Sequence, residues 1–349
     1  MTLKSKDMKL QFIHKTNVSR AALFFLSICL VCGVQAQTDS TTAQSSAAAE
    51  APAVIKPKPV KNTFNSVWII DNQTVMVPVK KTFEMDIMHR FGTVGKGYEN
   101  FWGLFAPSNI RLGFNYSPLN KLYVGFGITK DNMLWDFNAK YAIIKQTNGL
   151  YPVSVTYYTN AAYDSRKDPD NSLFRTEALK EKGDFLAKRL GASPDRFKFF
   201  HQLIIARKIT EKLSIQVAPS VTHQNAVNGY YKYVDSATKV VAGQMKHDHF
   251  AIAFSGRYKL TTVTNIIVNY DQPLTKHVVN NPAPNISLGF EFTTSNHAFQ
   301  VFMGNYSYLN PARNNLENQN SMWTGKAFHS PITIKQFLIG FNVTRLWNY

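Results

Sequence analysis

The chain has 349 residues, a formal net charge of +17, 13% aromatic residues and two cysteines. That length holds one or two domains, and no apolar run reaches the roughly 18 residues that a membrane-spanning helix needs. Cys29 and Cys32 both lie in the N-terminal apolar stretch, so the rest of the chain is free of disulfides, thiolate metal centres and cysteine nucleophiles.

Residues 21–34 are apolar, follow Lys4, Lys6, Lys9, Lys15 and Arg20, and end at Val34-Gln35-Ala36, with small residues where a signal peptidase cuts. Residues 1–36 are therefore predicted to be a secretory signal peptide, cut after Ala36, with Met8 as an alternative start. The residues before Cys32 make a poor lipobox. Without those five basic residues and Asp7 the net charge is +13. The basic residues are scattered rather than clustered. An exported protein of this charge meets anionic headgroups, such as outer-membrane lipid and lipopolysaccharide phosphates, rather than nucleic acid. Residues 37–62 are rich in Ser, Thr, Ala and Pro and lack the apolar surface needed to fold, which predicts a disordered periplasmic linker. Residues 63–81 are apolar without long alternation, a short pre-barrel segment that reads equally as a hairpin or as an inward-lying stretch.

From Thr82 to the end the period is two. In 109–144, Ile110, Leu112, Phe114 and Tyr116 alternate with Asn109, Arg111, Gly113 and Asn115. Leu122, Val124, Phe126 and Ile128 then alternate with Tyr123, Gly125, Gly127 and Thr129, and Trp135, Phe137, Ala139 and Tyr141 with Asp136, Asn138 and Lys140. A strict alternation puts one set on each face of a strand. Strands are predicted at 83–90, 109–116, 122–129, 135–143, 151–162, 197–209, 213–222, 250–259, 263–270, 286–293, 298–306 and 334–347. Twelve is an even number, as an antiparallel barrel with both ends in the periplasm requires. Short links (117–120, 146–149, 210–212, 260–262, 294–296) alternate with long ones (91–108, 163–196, 223–249, 272–285, 307–333), with one exception at 130–132. Short periplasmic turns and long external loops give this alternation, whereas a soluble sandwich has no reason to keep it. The last strand carries Phe337, Ile339, Phe341, Val343, Trp347 and Tyr349 on one face. Arg345 interrupts that row and is expected to snorkel at the periplasmic boundary. Trp135, Tyr141, Tyr151, Tyr258, Tyr306 and Trp347 are expected in the aromatic girdles. The fold class is thus all-β, an antiparallel transmembrane β-barrel of about 12 strands over 82–349.

Several stretches carry a family resemblance: Phe83 to Gly92 (FEMDIMHRFG), Tyr98 to Phe105 (YENFWGLF), Ile110 to Phe114 (IRLGF), Pro152 to Val155, His201 to Arg207 (HQLIIAR) and Gly256 to Lys259. Together they make 82–347 similar to an outer-membrane β-barrel family of Gram-negative, Bacteroidetes-type bacteria known only as a domain of unknown function. The resemblance implies an outer-membrane barrel inserted by the barrel-assembly machinery, and it implies no activity.

The chemistry-bearing motifs are few. Gly92-Thr-Val-Gly-Lys-Gly97 has the wrong spacing for a phosphate loop and no helix pattern behind it. His247 and His249 share a face if extended but lack a third ligand nearby, so no metal or cofactor is expected. Leu173, Leu179, Leu186 and Leu190 are consistent with a short amphipathic helix in the longest loop. His89 and His201 are the strand histidines open to a lipid-hydrolase reading, but neither has a serine at a matching height, so the chain is not read as an enzyme. What remains is the inward face: Glu84, Asp86, Arg90, Arg111, Asp136, Asn138, Lys140, Arg257, Lys259 and Glu291. Charges of both signs there either form paired networks that fill a closed barrel or line a narrow path for a small polar solute. The expected function is accordingly a narrow channel or binding barrel, or alternatively a closed structural barrel whose external loops bind a partner or the cell-surface layer.

Overall fold

A computed structural model describes residues 57–167, 185–186, 193–235, 239–323 and 333–348. The predicted signal peptide and most of the linker lie outside them. In chain order the strands are β1 (Trp68–Ile69), β2 (Asn72–Gln73), β3 (Thr82–Thr93), β4 (Asn109–Leu119), β5 (Leu122–Thr129), β6 (Leu134–Ile144), β7 (Ser154–Asp164), β8 (Phe185–Leu186), β9 (Phe197–Lys208), β10 (Leu213–Gln224), β11 (Gly229–Tyr233), β12 (Lys239–Gln244), β13 (Asp248–Lys259), β14 (Thr264–Pro273), β15 (Asn285–Thr293), β16 (His297–Gly304) and β17 (Leu338–Asn348). One short helix, α1 (Pro311–Glu317), precedes β17.

Twelve of these strands close into a barrel in sequence order, β3 through β7, then β9, β10 and β13 through β17. The seam pairs β17 with β3 antiparallel, for instance Val343 with Ile87 and Trp347 with Phe83. Alternation drives closure. In β3, Thr82, Glu84, Asp86, Met88 and Arg90 are buried while their neighbours are part-exposed. In β6, Asp136, Asn138 and Lys140 are buried while Trp135, Phe137 and Tyr141 face out. Outward Phe126, Phe137, Phe254, Phe290 and Val301 give the barrel an apolar exterior, the reverse of a soluble protein and the pattern that lipid demands.

All twelve strands fall where the alternation puts them, with shifted ends. β17 starts at Leu338 because residues 334–336 form a 3-10 turn. The short link between β5 and β6 sits at the long-loop end, where a 3-10 turn over Asp131–Met133 is closed by Asn132 and Met133 at positive φ. The long link from β10 to β13 carries the hairpin β11–β12, and β8 pairs with β11. Leu186 is therefore extended rather than helical; Leu173, Leu179 and Leu190 lie outside the described residues.

The lumen is occupied. Residues 57–81 enter at the short-turn end, where Val60 N donates to Gln146 O at 2.7 Å, and return to the same rim, where Lys81 N donates to Ser117 O at 2.8 Å. Between these anchors β1 and β2 make a hairpin whose tip, Ile70 and Asp71, is buried. The segment is both a hairpin and inward-lying. Its apolar side chains enter two buried clusters. Phe64, Ile69, Ile70 and Val75 pack with Tyr158, Phe200, Ile204, Ile267, Phe302 and Tyr306, whereas Val67, Trp68 and Val77 pack with Met88, Tyr123 and Leu309. From the long-loop side, α1 descends to meet the tip, with Asn314 Nδ2 donating to Asp71 Oδ2 at 3.0 Å. Plug and helix together give a membrane barrel the packed core of a soluble domain.

Candidate functional site

The inward side chains divide into two sets. The first is tied to the wall itself. Arg111 on β4 donates from Nη1 to Asp86 Oδ1 at 2.6 Å, and from Nε and Nη2 to the two oxygens of Asp136, both at 2.9 Å. Asn115 Nδ2 completes Asp86 at 2.8 Å and Asn160 Nδ2 completes Asp136 at 3.0 Å. The guanidinium also lies over Trp68 of the plug, 5.4 Å from the ring centre. A buried charge is tolerable when its partner has ideal geometry and its remaining lone pairs are filled, and this triad meets both conditions. The alternating glycines make it possible. A Cβ on Gly113 would lie 2.2 Å from Asp86 Oδ2, and one on Gly127 2.2 Å from Arg111 Nη2. Asn138 Nδ2 donates to Asn115 Oδ1 at 3.2 Å, and Glu84 accepts from Tyr123 at 2.8 Å.

The second set holds the plug. Lys140 Nζ donates to Gln73 Oε1 at 2.8 Å and to the Thr74 carbonyl at 3.2 Å. Arg257 donates to Asn65 Oδ1 and, at 2.8 Å, to the Asn62 carbonyl. Glu291 accepts from Ser66 Oγ at 2.5 Å and from Gln300 Nε2 at 2.9 Å. Arg90 reaches the plug through Asn342, whose Oδ1 accepts from Nη1 at 2.9 Å and whose Nδ2 donates to the Ile70 carbonyl at 2.5 Å. Near the tip, Asp71 accepts from Tyr306 Oη at 2.6 Å, and Asp271 accepts from Asn72 Nδ2 at 2.7 Å.

Of the ten residues expected on the inward face, nine are buried in the lumen. Lys259 is the exception. It has the inward parity but closes β13 at the short-turn rim, half-buried, where the wall no longer encloses it. Tyr306 also departs from expectation. It is fully buried and hydrogen-bonded to Asp71 and Ser287 rather than part of a girdle. The chain turns inward after β16 ends at Gly304, so exterior parity no longer applies. Trp135, Tyr141, Tyr151 and Tyr258 are exposed outward, and Arg345 lies over Trp347 at 4.8 Å. The alternation also carries further polar residues inward: Gln216, Asn269, Asp271, Gln300 and Asn342 are buried.

The histidines make no common centre. His249 is buried with Nδ1 3.1 Å from His277 Nε2, while His247 Nδ1 is 2.7 Å from the Gln224 carbonyl and Asp248 pairs with His223. Among the described residues no group of three or more His, Cys, Asp or Glu is placed to hold a metal. On the exterior, His201 Nδ1 meets Tyr157 Oη at 2.8 Å and Thr159 Oγ1 at 3.1 Å, local bonds that satisfy an imidazole facing lipid. His89 stacks on Phe341, with ring centres 5.1 Å apart.

An antiparallel closed barrel with an apolar exterior and a polar, filled lumen is a membrane-bound barrel of the outer-membrane type. The chain belongs to the family described as a membrane bound beta barrel domain (DUF5777), whose profile matches residues 64–347 and so takes in the plug as well as the wall. No curated protein matches it in sequence. Among solved structures it is similar to the NanC porin (8% identity, 76% of this chain and 99% of that one, TM-score 0.40). It is also similar to an outer-membrane channel from Pseudomonas putida F1 (11% identity, 78% and 97%, TM-score 0.41) and to the KdgM porin (9% identity, 76% and 99%, TM-score 0.37).

Proposed function

We propose that this protein is a non-enzymatic outer-membrane channel for a small polar solute, closed at rest by its own N-terminal plug, with both chain ends of the barrel on the periplasmic side. One observation carries this reading. The second set of inward groups is bonded to the N-terminal segment, which is anchored at one rim and continuous with the N-terminal linker. A barrel that is merely structural can fill its lumen with wall side chains, as the Arg111 triad does; here Lys140, Arg257 and Glu291 are turned toward the N-terminal segment instead. Barrels of this size stand at the border between filled and open, so removing the plug vacates a polar path.

The packing sets the terms of opening. Seven apolar plug residues, Phe64, Val67, Trp68, Ile69, Ile70, Val75 and Val77, are buried. At roughly 1.5–3 kcal/mol each, their burial is worth on the order of 10 kcal/mol. Thermal fluctuation does not overcome that, so opening needs a force or ligand acting on the N-terminal side. Planar-bilayer conductance tests the proposal: the full chain is expected to stay closed, and a chain lacking residues 63–81 to give steady steps. A folded deletion variant without steps overturns it. Within the open path, Lys140 loses its plug partners, as Arg257 loses Asn65 and Glu291 loses Ser66, so Lys140→Glu in the deletion variant shifts ion preference toward cations.

A second reading, a closed barrel that displays its external loops to a partner or the cell-surface layer, has its own observation. The loop after β3 exposes Tyr98 and Phe105, each 82% accessible, beside Phe101 and Trp102 at positive φ. Intact chains that never conduct, together with partner capture lost on replacing this loop, would favour it. In either reading the apolar exterior faces outer-membrane lipid, with lipopolysaccharide phosphates as counter-charges to the basic surface, and insertion runs through the barrel-assembly machinery.

A further inference from the structure

We infer that the lumen wall is a binding site for a polypeptide segment, the plug being its resident occupant, and that the solute class of the open barrel is peptide-like. This rests on the channel reading and names its substrate class.

The wall grips the plug by its backbone as well as by its side chains. Gln300 on β16 uses both ends of one carboxamide: Oε1 accepts from Ile70 N at 3.0 Å and Nε2 donates to the Trp68 carbonyl at 2.8 Å. Asn342 on β17 donates to the Ile70 carbonyl at 2.5 Å and Gln216 on β10 to the Gln73 carbonyl at 2.8 Å. Thr156 on β7 and Lys140 on β6 donate to the Val75 and Thr74 carbonyls, both at 3.2 Å, and Arg257 on β13 to that of Asn62 at 2.8 Å. Six strands thus contribute bonds to the main chain of one peptide, although β1 and β2 have only two residues each to satisfy their own groups. Main-chain bonds are blind to side-chain identity, so they give affinity for a chain that follows the path of the plug, while apolar pockets between them select side chains. Those pockets exist where Tyr158, Phe200 and Phe302 receive the apolar side chains of the plug. A carbohydrate offers neither alternating amide groups nor such side chains.

The test keeps the barrel strands and the buried residues of the plug. A specific protease site replaces Val79, Lys80 and Lys81, which are exposed in the folded chain. The barrel is folded and checked by heat-modifiable mobility, then cleaved, leaving the plug held without a covalent link. A synthetic peptide of residues 63–79 and an unrelated apolar-polar peptide of equal length compete with the plug, against an oligosaccharide of equal mass. Both peptides are expected to release plug fragment at concentrations at least tenfold below the sugar. Gln300→Ala with Asn342→Ala is expected to weaken peptide retention about a hundredfold, since it removes three main-chain hydrogen bonds and each contributes about 1 kcal/mol. Peptide and sugar acting equally, the 63–79 peptide failing to bind, or the double variant binding peptide unchanged overturns the inference. Conductance separates the two proposals: steps without peptide preference sink this one alone, and peptide exchange in a barrel that never conducts sinks the channel alone.

Discussion

At the residue scale the lumen is governed by the cost of an unpaired buried charge. Arg111 is the hinge of its triad: Arg111→Met strands Asp86 and Asp136, which are both buried. The expected loss is about 3–5 kcal/mol, read as a lower urea midpoint for loss of the heat-modifiable band. Restoring neutrality with Asp86→Asn and Asp136→Asn should recover much of it; if it does not, packing rather than charge holds the site. Gly127→Ala inserts a Cβ into the same guanidinium, with an expected cost of about 1–3 kcal/mol from overpacking and the same readout. The sequence showed that these charges face inward, because parity and charge coincide along β3, β4 and β6. Their partners were not legible, since the residues bonded to Lys140, Arg257 and Glu291 lie some 70, 190 and 225 positions away and no pattern within a strand encodes such a pairing. Tyr306 shows the reverse failure: its parity was read from a strand that had already ended.

The elements divide by how they satisfy their backbones. Barrel strands bond to neighbours over 8 to 12 residues, so their alternation is long enough to read. The plug hairpin has two residues per strand and borrows wall side chains for the rest, which leaves no periodic trace. β11 and β12 were hidden for a related reason, since their hairpin stands beyond the barrel where neither face is dictated by lipid. α1 is held by side chains at its start. Asn310 caps it, accepting from Ala312 N at 3.0 Å, and donates to Asn160 Oδ1 at 3.0 Å. Farther along, burial opposes the charge of Arg313, but Glu317 and Asp131 outweigh it and hold its guanidinium well above the usual range. Asn310→Ala is expected to cost about 1 kcal/mol and to speed hydrogen exchange across 311–317 without changing the unfolding of the barrel. Uniform acceleration through the wall strands would contradict a local role.

For the whole molecule the testable property is whether plug and wall separate. Asn72 Nδ2 lies 2.9 Å from Asn269 Oδ1, and the chain from residue 37 onward has no cysteine. Asn72→Cys with Asn269→Cys is therefore expected to cross-link on oxidation and abolish whatever current an opening condition produces, with reductant restoring it. Current that persists through a complete cross-link would show that solute does not pass where the plug sits. Fold class and strand count were legible because lipid imposes one rule on every strand; the filled lumen was not, because that rule ends where the lipid does. The plug's two anchors at a single rim carry one more implication. A loop that enters and leaves by the same opening is not threaded, so the wall can close first, with β17 finding β3, and the hairpin can follow into a finished cylinder. Assembly should then show two kinetic phases, an early one in which the seam forms and the band becomes heat-modifiable, and a later one in which Trp68 fluorescence reports burial. A chain lacking 63–81 should keep the first phase and lose the second.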